Sequence, residues 1–142
     1  MAMSKISIAT FNDLLEEEMP WAVKGGLSLE EIGDGTAKMR LPYDAGMLRP
    51  GGTVSGPTMM MLADALMYAV VLSAVGKVPL AVTTNFSINF LNRPKPADLI
   101  AEGRAIKVGR RLAVVEVSIF SAGADEMVAH ATGTYSIPPD RV

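Results

Sequence analysis

The sequence predicts an α+β fold in which one curved antiparallel β-sheet wraps around a long central helix. Three features carry this reading. Residues 57–75 form an apolar run of nineteen in which Asp64 is the one charge, too long for a strand and of helix length. Strand-period alternation lies on both sides of that run. The later strand patterns are joined by short, turn-like segments, which make the strands they connect antiparallel. At 142 residues with a formal charge of −2, the chain suits a single domain spanning residues 1–142.

In order along the chain, Thr10 and Asp13 mark a small first helix whose stripe of Phe11, Leu14, Leu15 and Met19 ends at Pro20. Between Gly26 and Tyr43, Thr36, Lys38 and Arg40 alternate with Ala37, Met39 and Leu41, the period of one half-buried strand. A Gly- and Pro-rich loop runs from Asp44 to Val54. Ser55 or Gly56 caps the central helix, and Pro57 sits in its first turn, where a missing N–H breaks no intrahelical bond. Gly76 is placed to end it. The next strand pattern puts Val82, Thr84, Phe86, Ile88 and Phe90 on one face and Ala81, Thr83, Asn85, Ser87 and Asn89 on the other. Further strands are expected at 98–108, 112–121 and 126–137, with turns at 109–111 and 122–125.

Composition narrows the function. The absence of Cys removes disulfides, iron–sulfur clusters and thiolate zinc, and one His is too few for a histidine zinc site. A sequence pI near 5.4 without a basic tract argues against nucleic acid as a partner. The first residues hold no secretory apolar core, so the expectation is a cytoplasmic protein with no membrane partner. The central run mimics a membrane span, but Asp64 would cost roughly 2.5–3.5 kcal/mol there on insertion scales, and the flanking strands need an apolar element to wrap. A charged share of 20%, below the usual figure of about 25%, predicts a homo-oligomer that hides surface between copies.

Asp64 is the residue that demands an account. A carboxylate on a helix apolar nearly all round needs a partner or a polar cavity. It is either a structural Asp bonded to a strand hydroxyl or to Tyr68, or a general base or nucleophile in a cleft. Gly56 adds a second group, because a helix start offers free N–H donors and positive dipole to a polarised carbonyl. Eight residues at about 1.5 Å each separate the two by roughly 12 Å along one helix. They cannot meet at one reacting centre within a chain, so joint action requires the Gly56 N–H of one copy beside Asp64 of another, on a dimer seam.

The run Gly52-Thr53-Val54-Ser55-Gly56-Pro57, then Leu62-Ala63-Asp64-Ala65, then Val82 to Phe90, Lys107 to Ala113 and Ala129 to Tyr135, resembles the hotdog-fold acyl-CoA thioesterases of the phenylacetate-degradation type, in the 4-hydroxybenzoyl-CoA thioesterase superfamily. The resemblance covers about residues 25–138. It implies a hotdog fold and hydrolysis of an acyl-CoA thioester, with CoA part of the substrate and no separate cofactor or metal. It matches Asp64 to the family's catalytic carboxylate, Gly56 to the glycine whose N–H holds the carbonyl oxygen from the partner chain, and Thr83 to a hydroxyl that orients the carboxylate or water. Arg49, Ser55, Asn85, Arg110 and Arg111 are candidates for contact with substrate and CoA, the arginine pair suiting phosphate. The chain departs from the pattern at Ser55 and Pro57, where many members have His and Gly, and at Arg49, where many have Asn. Those departures motivate the alternative of a noncatalytic acyl-CoA binding or regulatory domain, as a dimer or tetramer either way.

Rival chemistries lack their residues. No serine sits in a G-x-S-x-G elbow to serve His130, which lies in an alternating strand. The glycine-rich loop before the helix lacks the Lys of a phosphate-binding loop. A hotdog dehydratase or hydratase would need a catalytic His near the central helix or in a hydratase-type loop.

Overall fold

The computed structural model describes residues 3–44, 48–49 and 53–139, with 48, 49 and 53 as backbone alone. The first helix, α1 (Ile8–Glu18), starts earlier than Thr10: the Ser7 hydroxyl caps it, accepting the Thr10 N–H at 3.0 Å. Pro20 does more than stop α1. It opens a second short helix, α2 (Pro20–Lys24), because its fixed φ suits a first helical position.

The single strand expected between Gly26 and Tyr43 is a hairpin of two, β1 (Ser28–Gly33) and β2 (Thr36–Leu41). Asp34 and Gly35 make the turn, with Gly35 at φ 75°, the left-handed conformation a tight hairpin turn requires. Two short strands follow, β3 (Leu48–Arg49) and β4 (Thr53–Val54), paired with each other. The central helix α3 (Gly56–Val75) has Ser55 as its N-cap and Gly76 as its C-cap, at the expected ends. Four strands complete the chain: β5 (Val82–Phe90), β6 (Leu99–Val108), β7 (Leu112–Ser121) and β8 (Met127–Ser136).

Six strands form one sheet in the order β1-β2-β6-β7-β8-β5, with every neighbour antiparallel. β5 does not pair with its sequence neighbour β6. Residues 91–98 carry the chain across, leaving β5 as an edge strand beside β8.

The inner face of this sheet encloses α3. Leu62, Leu66, Met67, Val70, Val71 and Leu72 are fully buried, each contributing roughly 1.5–3 kcal/mol on burial. Close approach of helix and sheet depends on two strand glycines. A Cβ at Gly133 would meet the Met67 sulfur at 2.6 Å, and one at Gly103 would collide with a Leu66 methyl. α3 has the length and hydropathy of a membrane-crossing helix, yet here it is the core of a sheet-wrapped domain. Full enclosure, expected from its composition, is not reached: Pro57, Met60, Met61, Asp64 and Tyr68 stay partly accessible. Their three- and four-residue spacing places them on one face, a stripe running from the helix start toward its middle.

Candidate functional site around Asp64

Asp64 faces the β5–β8 edge of the sheet at one particular rung. Thr83 and Tyr135 are Cα partners across β5 and β8, so one rung delivers two hydroxyls to the helix. The Thr83 hydroxyl donates to Asp64 Oδ1 at 2.7 Å and the Tyr135 hydroxyl to the same oxygen at 2.8 Å. Tyr135 also lies 3.1 Å from the Asp64 main-chain carbonyl. Among the described residues no cation pairs with Asp64 and no donor reaches Oδ2. A half-buried carboxylate thus keeps one oxygen fixed by neutral donors and one available.

A β-bulge makes this possible. The register of β5 against β8 slips between Thr83 and Asn85, adding a residue that turns Thr83 inward while Phe86 and Ile88 continue the inner face. Asn85, expected to share the face of Thr83, is exposed on the opposite side and does not join the cluster. The bulge, invisible to a strict two-residue period, is the reason.

The tyrosines beside Asp64 form a stack. Tyr135 is 3% exposed and its ring lies 6.2 Å from that of Tyr68 at an interplanar angle of 20°. Tyr68 in turn meets Phe11 of α1 at 5.8 Å and donates to the Pro79 carbonyl at 3.0 Å. Burial first, and then the charge of Glu18, push the Tyr68 phenol up to about 12. Burial, followed by the charge of Asp64, raises Tyr135 well above the ordinary tyrosine range. Both rings therefore stay protonated, and Tyr135 remains a donor. Tyr135 was missed from sequence, although its inward position in β8 carried a signal: a buried tyrosine needs a partner for its hydroxyl.

Cavities open on both sides of the carboxylate. One of about 330 Å³ is lined by Met60, Met61, Asp64, Thr83 and Phe86. A second, of about 170 Å³, lies beneath α1 among Leu15, Met19, Tyr68, Ala81 and Tyr135, again reaching Asp64 and Thr83. Asp64 and Thr83 are common to the walls of both.

At the head of α3 the Ser55 hydroxyl accepts the Thr58 N–H at 3.3 Å and shares a 2.8 Å hydrogen bond with the Thr58 hydroxyl. Ser55, expected among the substrate contacts, is engaged as the cap. Pro57 has no N–H, so Gly56 keeps the first-turn N–H that the cap does not use. The tip of the Phe90 ring lies over Gly56, 3.3 Å from where a Cβ would stand. Arg110 and Arg111 form the exposed turn between β6 and β7, closed by the Gly109 N–H to Leu112 and tied to the end of β8 by the Ile137 N–H to the Arg111 carbonyl, both 2.8 Å. Leu112 shares a rung with Ser136 and Val82, one step beyond the Thr83–Tyr135 rung. Two strand spacings of about 4.8 Å separate that turn from β5. The side chain of Arg49 lies outside the described residues.

A helix whose carboxylate is gripped by the sheet that wraps it defines a hotdog domain with an acidic site. Residues 51–128 match the sequence model of the Thioesterase superfamily. A candidate esterase of Saccharolobus solfataricus is 30% identical over 133 residues, covering 93% of this chain and 86% of the relative. The crystal structure of a candidate thioesterase from a Silicibacter species superposes with a TM-score of 0.86 at 43% identity, over 96% of this chain and 94% of that one. A Haemophilus influenzae thioesterase shares the fold at 17% identity, with a TM-score of 0.83 over 96% of this chain and 94% of the other. The chain belongs to the thioesterase superfamily.

Proposed function

We propose that the protein is an acyl-CoA thioesterase, hydrolysing the thioester to a free acid and CoA at a site shared between two copies. The observation that carries this is the half-buried Asp64, whose Oδ1 is held by Thr83 and Tyr135, whose Oδ2 has no donor among the described residues, and which lines both cavities. Asp64 attacks the thioester carbonyl carbon or takes the proton of an attacking water; either route puts negative charge on the carbonyl oxygen. The Gly56 N–H, at the positive end of α3, is suited to receive that charge.

Within one chain the two groups are roughly 12 Å apart, whereas reacting atoms must approach to about 3–3.5 Å. A second copy, its α3 running antiparallel along the uncovered stripe from Pro57 to Tyr68, brings its own Gly56 to Asp64. The unpaired edge of β5 lies on the same side and is available to the same partner. Arg110 and Arg111 supply positive charge for the CoA phosphates, and the apolar cavity walls receive the acyl group, Met60 and Met61 adapting to its shape.

The test is thiol release from short-chain, medium-chain and aryl-CoA thioesters, with Asp64→Asn alongside. Turnover in the wild type that falls by about 100- to 10,000-fold in the variant is expected, the range for a lost general base. CoA esters that raise the melting temperature without being cleaved would instead identify a binding domain.

A further inference from the structure

We propose that Tyr135 is a positioning residue for the reaction, acting through Asp64 together with Thr83; this rests on the reading of Asp64 as the reacting carboxylate. The two hydroxyls reach one and the same oxygen, Oδ1, at 2.8 and 2.7 Å. That choice matters for a side chain with a two-fold carboxyl. A lone Asp on a helix turns about its last torsion with little resistance and presents either oxygen, edge or face, to a substrate. Two donors on one oxygen fix the plane of the carboxyl, leaving Oδ2 as the oxygen without a donor in a residue that lines both cavities.

The Tyr135 hydroxyl can do this because its own position is overdetermined. Its second contact is the main-chain carbonyl of Asp64, at 3.1 Å, so the phenol is referenced to the helix backbone as well as to the carboxylate. Its ring is 3% exposed and stacked on Tyr68, which is braced by Phe11 and by the Pro79 carbonyl. The hydroxyl therefore cannot follow a moving carboxylate. Thr83, by contrast, sits on the edge strand at a bulge, the less constrained of the two anchors. Tyr135 sets the geometry and Thr83 completes it.

Tyr135→Phe removes the hydroxyl and keeps the ring and its stack. On the best-cleaved thioester its kcat falls by about 10- to 100-fold, the size of a misplaced reacting group, while KM stays within about threefold and the melting temperature shifts little. Thr83→Val falls by less, and the double variant departs from the product of the two, because both donors act on one atom. In crystals of Tyr135→Phe the Asp64 carboxyl leaves its single orientation. A wild-type kcat in Tyr135→Phe, a rise in KM without loss of kcat, or an Asp64 that keeps its orientation overturns the proposal. If the wild type cleaves no thioester, the hydrolase reading fails by that result alone, and the orientation of Asp64 in the Tyr135→Phe crystals still decides whether Tyr135 positions it.

Discussion

Two carboxylates on opposite faces of the sheet each receive two partners, and the partners differ in kind. Glu116, on the outer face of β7, takes Arg104 Nε at 2.8 Å on one oxygen and faces His130 Nε2 at 3.4 Å with the other. Asp64, against the inner face, takes two neutral hydroxyls on a single oxygen. Glu116 is paired with the Arg104 guanidinium at one oxygen and has the His130 ring nitrogen beside the other, so both oxygens have partners. Asp64 has no cationic partner among the described residues and one oxygen without a donor, in a place where water is partly excluded and electrostatic interactions count for more. Under the proposed function, pairing at both oxygens distinguishes a structural carboxylate, and restraint by neutral donors at one oxygen distinguishes a reacting one.

The two carboxylates differ most in what their amides would do, beginning with Asp64. Asp64→Asn retains an oxygen for both hydroxyls, so its fold and melting temperature should be close to wild type while thioester turnover collapses. Parallel calorimetry and thiol-release assays would show the split, and loss of folding along with activity would move Asp64 into the structural class.

Next in size is the effect of crowding the inner face behind Glu116. A Cβ at Gly103 would press on a Leu66 methyl and stand 3.0 Å from the Glu116 carbonyl oxygen. Gly103→Ala should destabilise the protein by about 1–3 kcal/mol, as overpacked cores do, measured by urea unfolding. Glu116→Gln, which touches only the outer carboxylate, should cost no more than about 1 kcal/mol by the same measurement, because half-exposed ion pairs are worth little.

The smallest effect concerns a third carboxylate. Asp98 accepts the Tyr43 main-chain N–H at 2.7 Å and pairs with Arg40 at 2.9 Å. The Tyr43 N–H first, and Arg40 second, hold its carboxyl below the ordinary range. A depressed folded-state value stabilises the protein above the unfolded value and loses that contribution as the pH falls through the folded one. Asp98→Asn should therefore be slightly less stable than wild type at neutral pH, with the gap narrowing below about pH 4. Thermal unfolding across pH 3–7 checks it, and a gap that widens in acid would contradict the assignment.

Much of this was legible in the residues, and the exceptions share a cause. The ends of α3 follow from Ser55, Pro57 and Gly76, because capping chemistry is local. Asp64 stands out because one charge on an apolar helix must be accounted for within its own turn or two. β1 escaped because the Asp34-Gly35 turn, a two-residue hairpin signal, sits inside a stretch where alternation resumes on the far side. The inward turn of Thr83 away from Asn85 depends on a bulge, one added residue that period-two reading cannot see. Tyr135 depends on long-range register: which hydroxyl meets Asp64 is decided only when β8 lies beside β5.

If each site takes Asp64 from one copy and Gly56 from another, mixing two inactive variants restores activity. Gly56→Pro deletes the N–H while suiting the first helical position, and Ser55, at ψ 151°, is extended as a residue before proline must be. Gly56→Ala, which adds a similar Cβ beneath Phe90 but keeps the N–H, is the control. Asp64→Asn and Gly56→Pro are each predicted to be inactive alone. Unfolded and refolded together, they should recover about a quarter of wild-type turnover, because half the dimers are mixed and each mixed dimer holds one intact site of two. No recovery, with mixed dimers demonstrably formed and Gly56→Ala active, would contradict a shared site.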